Sequence, residues 1–204
     1  MINEKQEHHE AVDEERICFF ELKDVEIEDF DAEGFVLDIG GGGEGIIGKL
    51  KGAQVVAIDH QRKELQETAP GPLKIVMDAT DLQFLDESFA TATAFFTLMY
   101  IDPGDLQAVF DEVFRVLKPS GRFLIWDVVI PSRGDAEQDI AAYPFRFVLP
   151  GETIETGYGV RWPEDGRALS AYVRLAEAAG FDIKTHHKDE HVFHVELVKP
   201  ESET

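Results

Sequence analysis

The stretch that most constrains this chain is Val36-Leu37-Asp38-Ile39-Gly40-Gly41-Gly42-Gly43-Glu44-Gly45, where an apolar run of strand type opens directly into glycines. Residues 44–51 follow with helical character, so strand, tight turn and helix come in the order that begins a β-α-β unit. Glycines let the backbone turn sharply and let a ligand approach with no Cβ in the way, and the helix behind them offers free N–H groups. Asp59 ends the next apolar run, twenty-one residues after Asp38, where an acid can accept both hydroxyls of a ribose.

The rest of the chain repeats the alternation. Residues 35–39, 53–59, 73–77, 91–96 and 121–126 read as buried strands, and 44–51, 60–68 and 104–117 as helices. In the last helix Leu106, Val109, Phe110, Val113, Phe114 and Leu117 recur at helical spacing. Such alternation predicts an α/β fold with parallel strands and helices on both faces. Residues 145–163 suggest an added hairpin or irregular insert, placed within 131–165. A helix over 166–179 stops at Gly180, and strands 181–187 and 192–198 flank Lys188-Asp189-Glu190-His191, as expected of an antiparallel hairpin at the sheet edge. With 204 residues and neither repeat nor low-complexity linker, 1–204 is expected to be one domain. The polar first sixteen residues read as a mobile leader or a solvated helix, and 1–20 as a whole is a candidate lid.

Charge excludes several partners. Nineteen Lys and Arg face forty-one Asp and Glu, a formal net charge of −22. Nucleic-acid phosphates and anionic lipid headgroups would be repelled by such a surface, so neither nucleic acid nor membrane is expected as a partner. One cysteine, Cys18, cannot form an internal disulfide and reads as a small buried residue. With no secretion-type N-terminus and no apolar run of about 20 residues, a cytoplasmic location is expected. His186, His187, His191 and His194 gather near the C-terminus, but on extended strands residues at odd separations point to opposite faces, so no metal site is expected from them.

Gly40, Gly42 and Gly45 also satisfy the dinucleotide pattern G-x-G-x-x-G, and Asp38 argues against that reading. An aspartate two residues before the first glycine places a negative charge where a doubly charged pyrophosphate would sit, whereas a ligand with a cationic end suits it. Four stretches together resemble the class I methyltransferases that use S-adenosylmethionine. Residues 36–45 are similar to the first motif of that family and Val56-Ala57-Ile58-Asp59 to its second. Residues 77–89, Met77-Asp78-Ala79-Thr80 onward, resemble its adenine-binding turn, and Arg115-Val116-Leu117-Lys118-Pro119-Ser120-Gly121 its helix-to-strand junction. The resemblance implies a small single-domain member with a Rossmann-like, doubly wound sheet of seven strands, mostly parallel and ending in an antiparallel hairpin.

It also implies S-adenosylmethionine as cofactor, S-adenosylhomocysteine as product, and a set of contacts. Asp38 with the backbone of Gly40, Gly41 and Gly42 would hold the methionine end, and Asp59 the ribose hydroxyls. His60 would lie beside the adenine, Asp78 would accept from its amino group, and the Ala79 N–H would donate to a ring nitrogen. Phe95 and Phe96 would add backbone contacts near the methionine, or serve only as core; Asp59 and Asp78 have the alternative of capping strand ends. Glu44 departs from the family, many members of which have glycine there.

The implied chemistry is in-line displacement of a methyl group from sulfonium, which needs a general base only if the acceptor must lose a proton. No catalytic residue is identified. Met99 stands where many relatives have histidine, and Tyr100 either positions an acceptor or packs. The insert carries Arg133, Tyr143, Phe145, Arg146, Tyr158, Arg161 and Trp162, a set expected to cover a small, partly anionic acceptor or to shield a sheet face. A small-molecule methyl acceptor is the leading partner; a non-catalytic cofactor-binding scaffold or a protein methyltransferase are the alternatives, and monomer or homodimer is left open.

Overall fold

The computed structural model describes residues 13–201. Of the expected leader, 1–12 lie outside the described residues, while Ile17–Phe19 form a strand, β1, whose residues pair with the insert.

Seven strands make the main sheet: β3 (Val36–Ile39), β4 (Val55–Asp59), β5 (Leu73–Val76), β6 (Phe89–Phe95), β7 (Leu117–Val128), β10 (Asp182–Asp189) and β11 (Val192–Val198). Their order is β10-β11-β7-β6-β3-β4-β5. The five from β7 to β5 are parallel, and β11 runs antiparallel to both β7 and β10. This is the doubly wound, mostly parallel sheet with a terminal antiparallel hairpin that the alternation and the resemblance predict.

Strand β3 shows why the order works. All four of its residues are buried, because it lies in the middle of the sheet with layers on both faces. Leu37 and Ile39 join the core under helices α3 (Leu106–Val116) and α4 (Leu169–Ala179), and Val36 joins the core on the opposite face. By the two-residue period of a strand, Asp38 shares the Val36 face.

That opposite face is covered by short helices α1 (Ile46–Lys51) and α2 (Arg62–Glu67) and by a second sheet. Strands β8 (Ile140–Leu149) and β9 (Glu152–Arg161) form the expected hairpin in the insert. Sequence periodicity does not anticipate the two short strands beside it: β1 and β2 (Lys23–Glu26) run parallel to successive halves of β8. Tyr143, Phe145 and Phe147 alternate inward from β8 to pack on the main sheet, with Arg146 pointing outward between them. Helix α1 is shorter than the sequence suggests because Gly45, at φ 59°, is left-handed and starts the helix only after itself.

Candidate functional site

At the C-terminal ends of β3, β4 and β6 a cleft of about 1150 Å³ opens. Open parallel sheets bind ligands at this edge, in the crevice where strand order reverses, and here the reversal lies between β3 and β6.

The glycine turn forms the floor. Gly40 has φ 67°, in the left-handed region, and a Cβ there would stand 2.3 Å from Thr97 Cγ2. A Cβ on Gly42 would lie 2.6 Å from Asp59 Oδ2 and 2.5 Å from Glu64 Cβ, so the loop can nest between β4 and α2 only as glycine. The Gly41 N–H donates to the Ile58 carbonyl at 2.9 Å, which pins the turn to the end of β4. Helix α1 has six residues and begins after the left-handed Gly45, later than a strand-turn-helix reading implies.

Around this floor the structure gathers most of the residues expected from the sequence. Gly40, Gly42, Asp59, His60, Asp78, Ala79, Phe95 and Phe96 all line the cleft. Asp59 accepts the Gln61 N–H through Oδ1 at 2.8 Å, which orients the carboxylate at the strand end. Asp78 Oδ1 accepts both the N–H and the hydroxyl of Thr80, each at 2.8 Å, and these bonds, backbone first, hold its carboxyl below the usual range. It is therefore an anion suited to accept from an amino group. His60 is exposed at the rim, its Nδ1 3.7 Å from Asp59.

Asp38 and Gly41 do not line this cleft. They border a separate cavity of about 20 Å³ behind the loop, as the facing of β3 requires. Asp38 is buried and its Oδ1 accepts the Thr93 hydroxyl at 2.7 Å; burial pushes its carboxyl up to about 7 against that hydrogen bond. A cavity of that size holds one water, so Asp38 can reach a ligand in the cleft only indirectly.

Several site residues were outside the expected set: Ile101, Val109 and Gly157 line the cleft, as does Thr97. Glu44, noted as a departure, and Tyr158, expected over the acceptor, line both the cleft and the inner cavity. Tyr158 donates its hydroxyl to Glu44 Oε2 at 2.9 Å, and the Thr156 hydroxyl donates to Glu44 Oε1, so the family's missing glycine is a carboxylate that ties the loop to β9. Burial, then the Glu44 charge, pushes the Tyr158 hydroxyl up. The departure at Glu44 was the available signal; its partners lie 112 and 114 residues away and have none in local pattern.

The expected cover of arginines is corrected. Arg146 pairs with Asp24 and Glu155, and Arg133, half-buried, with Glu164, all away from the cleft, and Arg161 is exposed and also stands away from it. Tyr143 and Phe145 are core, and Trp162 donates its indole N–H to Pro131. Of that group only Tyr158 reaches the cleft, because the alternation of β8 and β9 sends charge and ring to opposite faces.

Phe95 and Phe96 prove to be core and lining together. Phe96 has φ 48° and donates its N–H to Trp126 at 2.7 Å, while both rings pack on Phe147. Past them Met99 is buried and donates its N–H to Asp127 Oδ2 at 3.1 Å; Tyr100 lines the cleft, half exposed. Cys18 is half-buried. His187 pairs with His194 across the terminal hairpin, His194 stacks on Trp126, and His191 packs against Phe20 and Tyr143.

Strand order and glycine cradle define a class I methyltransferase fold. Residues 37–125, from β3 into β7, match a family described as "Methyltransferase domain". Over that span the chain is similar to the class I S-adenosylmethionine-dependent methyltransferases, and S-adenosylmethionine is the cofactor of that class. The ubiquinone/menaquinone biosynthesis C-methyltransferase UbiE of Desulfotalea psychrophila is 34% identical over 103 residues, which cover 48% of this chain and 41% of that protein. The match thus spans about two fifths of that relative's length. A solved S-adenosylmethionine-dependent methyltransferase from Methanosarcina mazei superposes with a TM-score of 0.62 at 20% identity, covering 85% of this chain and 95% of that one. The [4+2]-cyclase SpnF superposes with a TM-score of 0.56 at 16% identity, over 84% of this chain and 76% of its own, so the fold is shared by a protein described by another reaction.

The residues present fit the cofactor. Gly40 and Gly42 line the cleft with no side chain of their own, Asp59 ends β4 and Asp78 follows β5 at its rim, and the cleft exceeds the usual upper range of about 1000 Å³ for one small ligand.

Proposed function

We propose that this protein transfers the methyl group of S-adenosylmethionine to a small-molecule acceptor bound at the Phe96, Tyr100 and Tyr158 end of the cleft. The observation that carries the reading is one continuous cleft, with Asp59 and Asp78 at one end and the β9 hairpin over the other, large enough for cofactor and acceptor together. The name of the UbiE relative, a C-methyltransferase of quinone biosynthesis, supports a small molecule over a macromolecule.

Bound S-adenosylmethionine supplies a methyl group already activated on sulfonium. The chain's residues have then to place the nucleophile about 3 Å from the methyl carbon and keep water out. In this reading Asp59 accepts the ribose hydroxyls, and Asp78 and the Ala79 N–H read the adenine edge with His60 at its rim. Gly40, Gly42 and the backbone at Phe95 and Phe96 hold the methionine end, and Asp38 acts through the inner cavity.

Calorimetric titration with S-adenosylmethionine and S-adenosylhomocysteine tests the core of this: both are expected to bind, and binding of neither overturns it. A non-catalytic cofactor-binding scaffold is the second reading. It is favoured by one observation: among the described residues His60 is the one imidazole lining the cleft, and it stands beside Asp78, away from Tyr100 and Tyr158. A methyl-transfer screen over amines, phenols, thiols and carbon acids separates the two; turnover of any acceptor rejects the scaffold.

A further inference from the structure

The acceptor end of the cleft has a chemistry of its own. Its walls are aromatic: the Tyr158 ring lies 5.6 Å from Phe96, tilted 36°, and 6.4 Å from Tyr100 at 85°, nearly perpendicular. Ring faces that meet at such angles leave a corner, and the negative faces of the rings attract a cation placed there. Glu44 sits against the same corner, its carboxylate fixed by Tyr158 and Thr156. Glu64 follows on the loop side, its Oε2 3.6 Å from where a Gly43 Cβ would be. Among the described residues neither lysine nor arginine lines the cleft.

An anionic acceptor would meet uncompensated carboxylates here, and a purely apolar one would leave Glu44 facing nothing of opposite sign. We propose that the acceptor site selects a small amine in its ammonium form, held by cation–π contact with Tyr100 and Tyr158 and by the charge of Glu44. The proposal rests on the methyl-transfer reading and names its substrate class. For transfer, the ammonium gives one proton to water at the open mouth of the cleft. The freed lone pair forms the new N–C bond as the S–C bond breaks, so the positive charge passes from sulfur to nitrogen and a neutral thioether remains. Glu44 is then a specificity-determining residue: it chooses the charge of the acceptor and takes no proton.

The experiment titrates three isosteric probes, phenethylamine, 2-phenylethanol and phenylacetate, into the full chain with and without saturating S-adenosylhomocysteine. Phenethylamine is expected to bind at least tenfold more tightly than the alcohol, and phenylacetate most weakly. Glu44→Gln is expected to remove about tenfold of the amine's preference while leaving 2-phenylethanol unchanged. Tyr158→Phe, which keeps the ring and removes the hydroxyl that holds Glu44, should give a smaller loss in the same direction. Phenylacetate binding as tightly as phenethylamine, no binding of the amine, or an amine preference untouched in both variants would each overturn the proposal. Failure of S-adenosylhomocysteine to bind while the amine still does would overturn the cofactor reading and leave the cation site standing.

Discussion

Replacing Gly40 by alanine should separate the two demands the loop makes on that position. The first is conformational: at φ 67° an L-residue costs roughly 1–2 kcal/mol. The second is space: the new Cβ would stand 2.3 Å from both Thr97 Cγ2 and Oγ1 and 2.8 Å from Thr97 Cβ, so the loop and the segment just after β6 must part, at about 1–3 kcal/mol for overpacking. Gly34→Ala is the control. Its φ is also 67°, yet nothing lies within 4 Å of its Cβ, so it carries the first cost alone. Gly40→Ala is therefore expected to destabilise by about 2–5 kcal/mol and Gly34→Ala by about 1–2 kcal/mol, with the unfolded-chain entropy gain of about 0.4–1 kcal/mol common to both. For a chain of this size the difference is several degrees in Tm at roughly 2–4 °C per kcal/mol, read by urea and thermal unfolding. A double-mutant cycle with Thr97→Ala measures most of the steric part, because removing Cγ2 and Oγ1 takes away both 2.3 Å contacts and leaves the 2.8 Å one to Cβ; a coupling of about 1–2 kcal/mol is expected. Equal costs at Gly40 and Gly34, or zero coupling to Thr97, would refute the close approach of the loop to the segment after β6.

Asp59→Ala should weaken S-adenosylmethionine and S-adenosylhomocysteine alike by roughly 10- to 100-fold, the worth of hydrogen bonds to a charged acceptor, and calorimetry showing unchanged affinity would reject the ribose assignment. Arg115 bridges Glu112, Asp86 and the carbonyls of Leu82 and Phe84, so Arg115→Lys, which cannot span that fork, should cost about 1–3 kcal/mol and loosen the turn after Asp78; a neutral substitution in urea unfolding would contradict this. Asp38 and Asp127 are both pushed up to about 7 by burial, from 3.8, so the stability each contributes is fully present below about 3.8 and is lost as pH rises through about 7. His191 and His194, lowered by burial, add the opposite slope over the lower part of that range, so the readout is the difference between wild type and Asp38→Asn. The variant should gain on wild type by roughly 2–4 kcal/mol between pH 5 and 8, and parallel curves would show that Asp38 ionises freely.

What could be read ahead of the structure divides along a physical line. Strand β3, the glycines and Asp59 are written in contiguous sequence, because a turn that needs left-handed backbone and no Cβ can be met only by glycine at that place. Helix α3 is legible for a similar reason, since one face of it must repeat at helical spacing to be buried. Strands β1 and β2 are not. Three and four residues with mixed burial carry no period, and they become strands only because β8 offers them an edge. The same limit applied to the insert, whose arginines and rings stand close in sequence yet are sorted to opposite faces by the pleat.

Glu44 joins the two cases. Its place in the loop is visible from the chain alone, as a side chain where the fold asks for none, and a loop that tolerates it must have something for the carboxylate to hold. The structure supplies Thr156 and Tyr158 from β9, the strand over the end of the cleft where the acceptor is proposed to bind. A local exception in the glycine loop is therefore tied to the hairpin over the far end of the cleft. That coupling is why Glu44, and not one of the residues the motif predicts, is the position at which acceptor choice should be most sensitive to substitution.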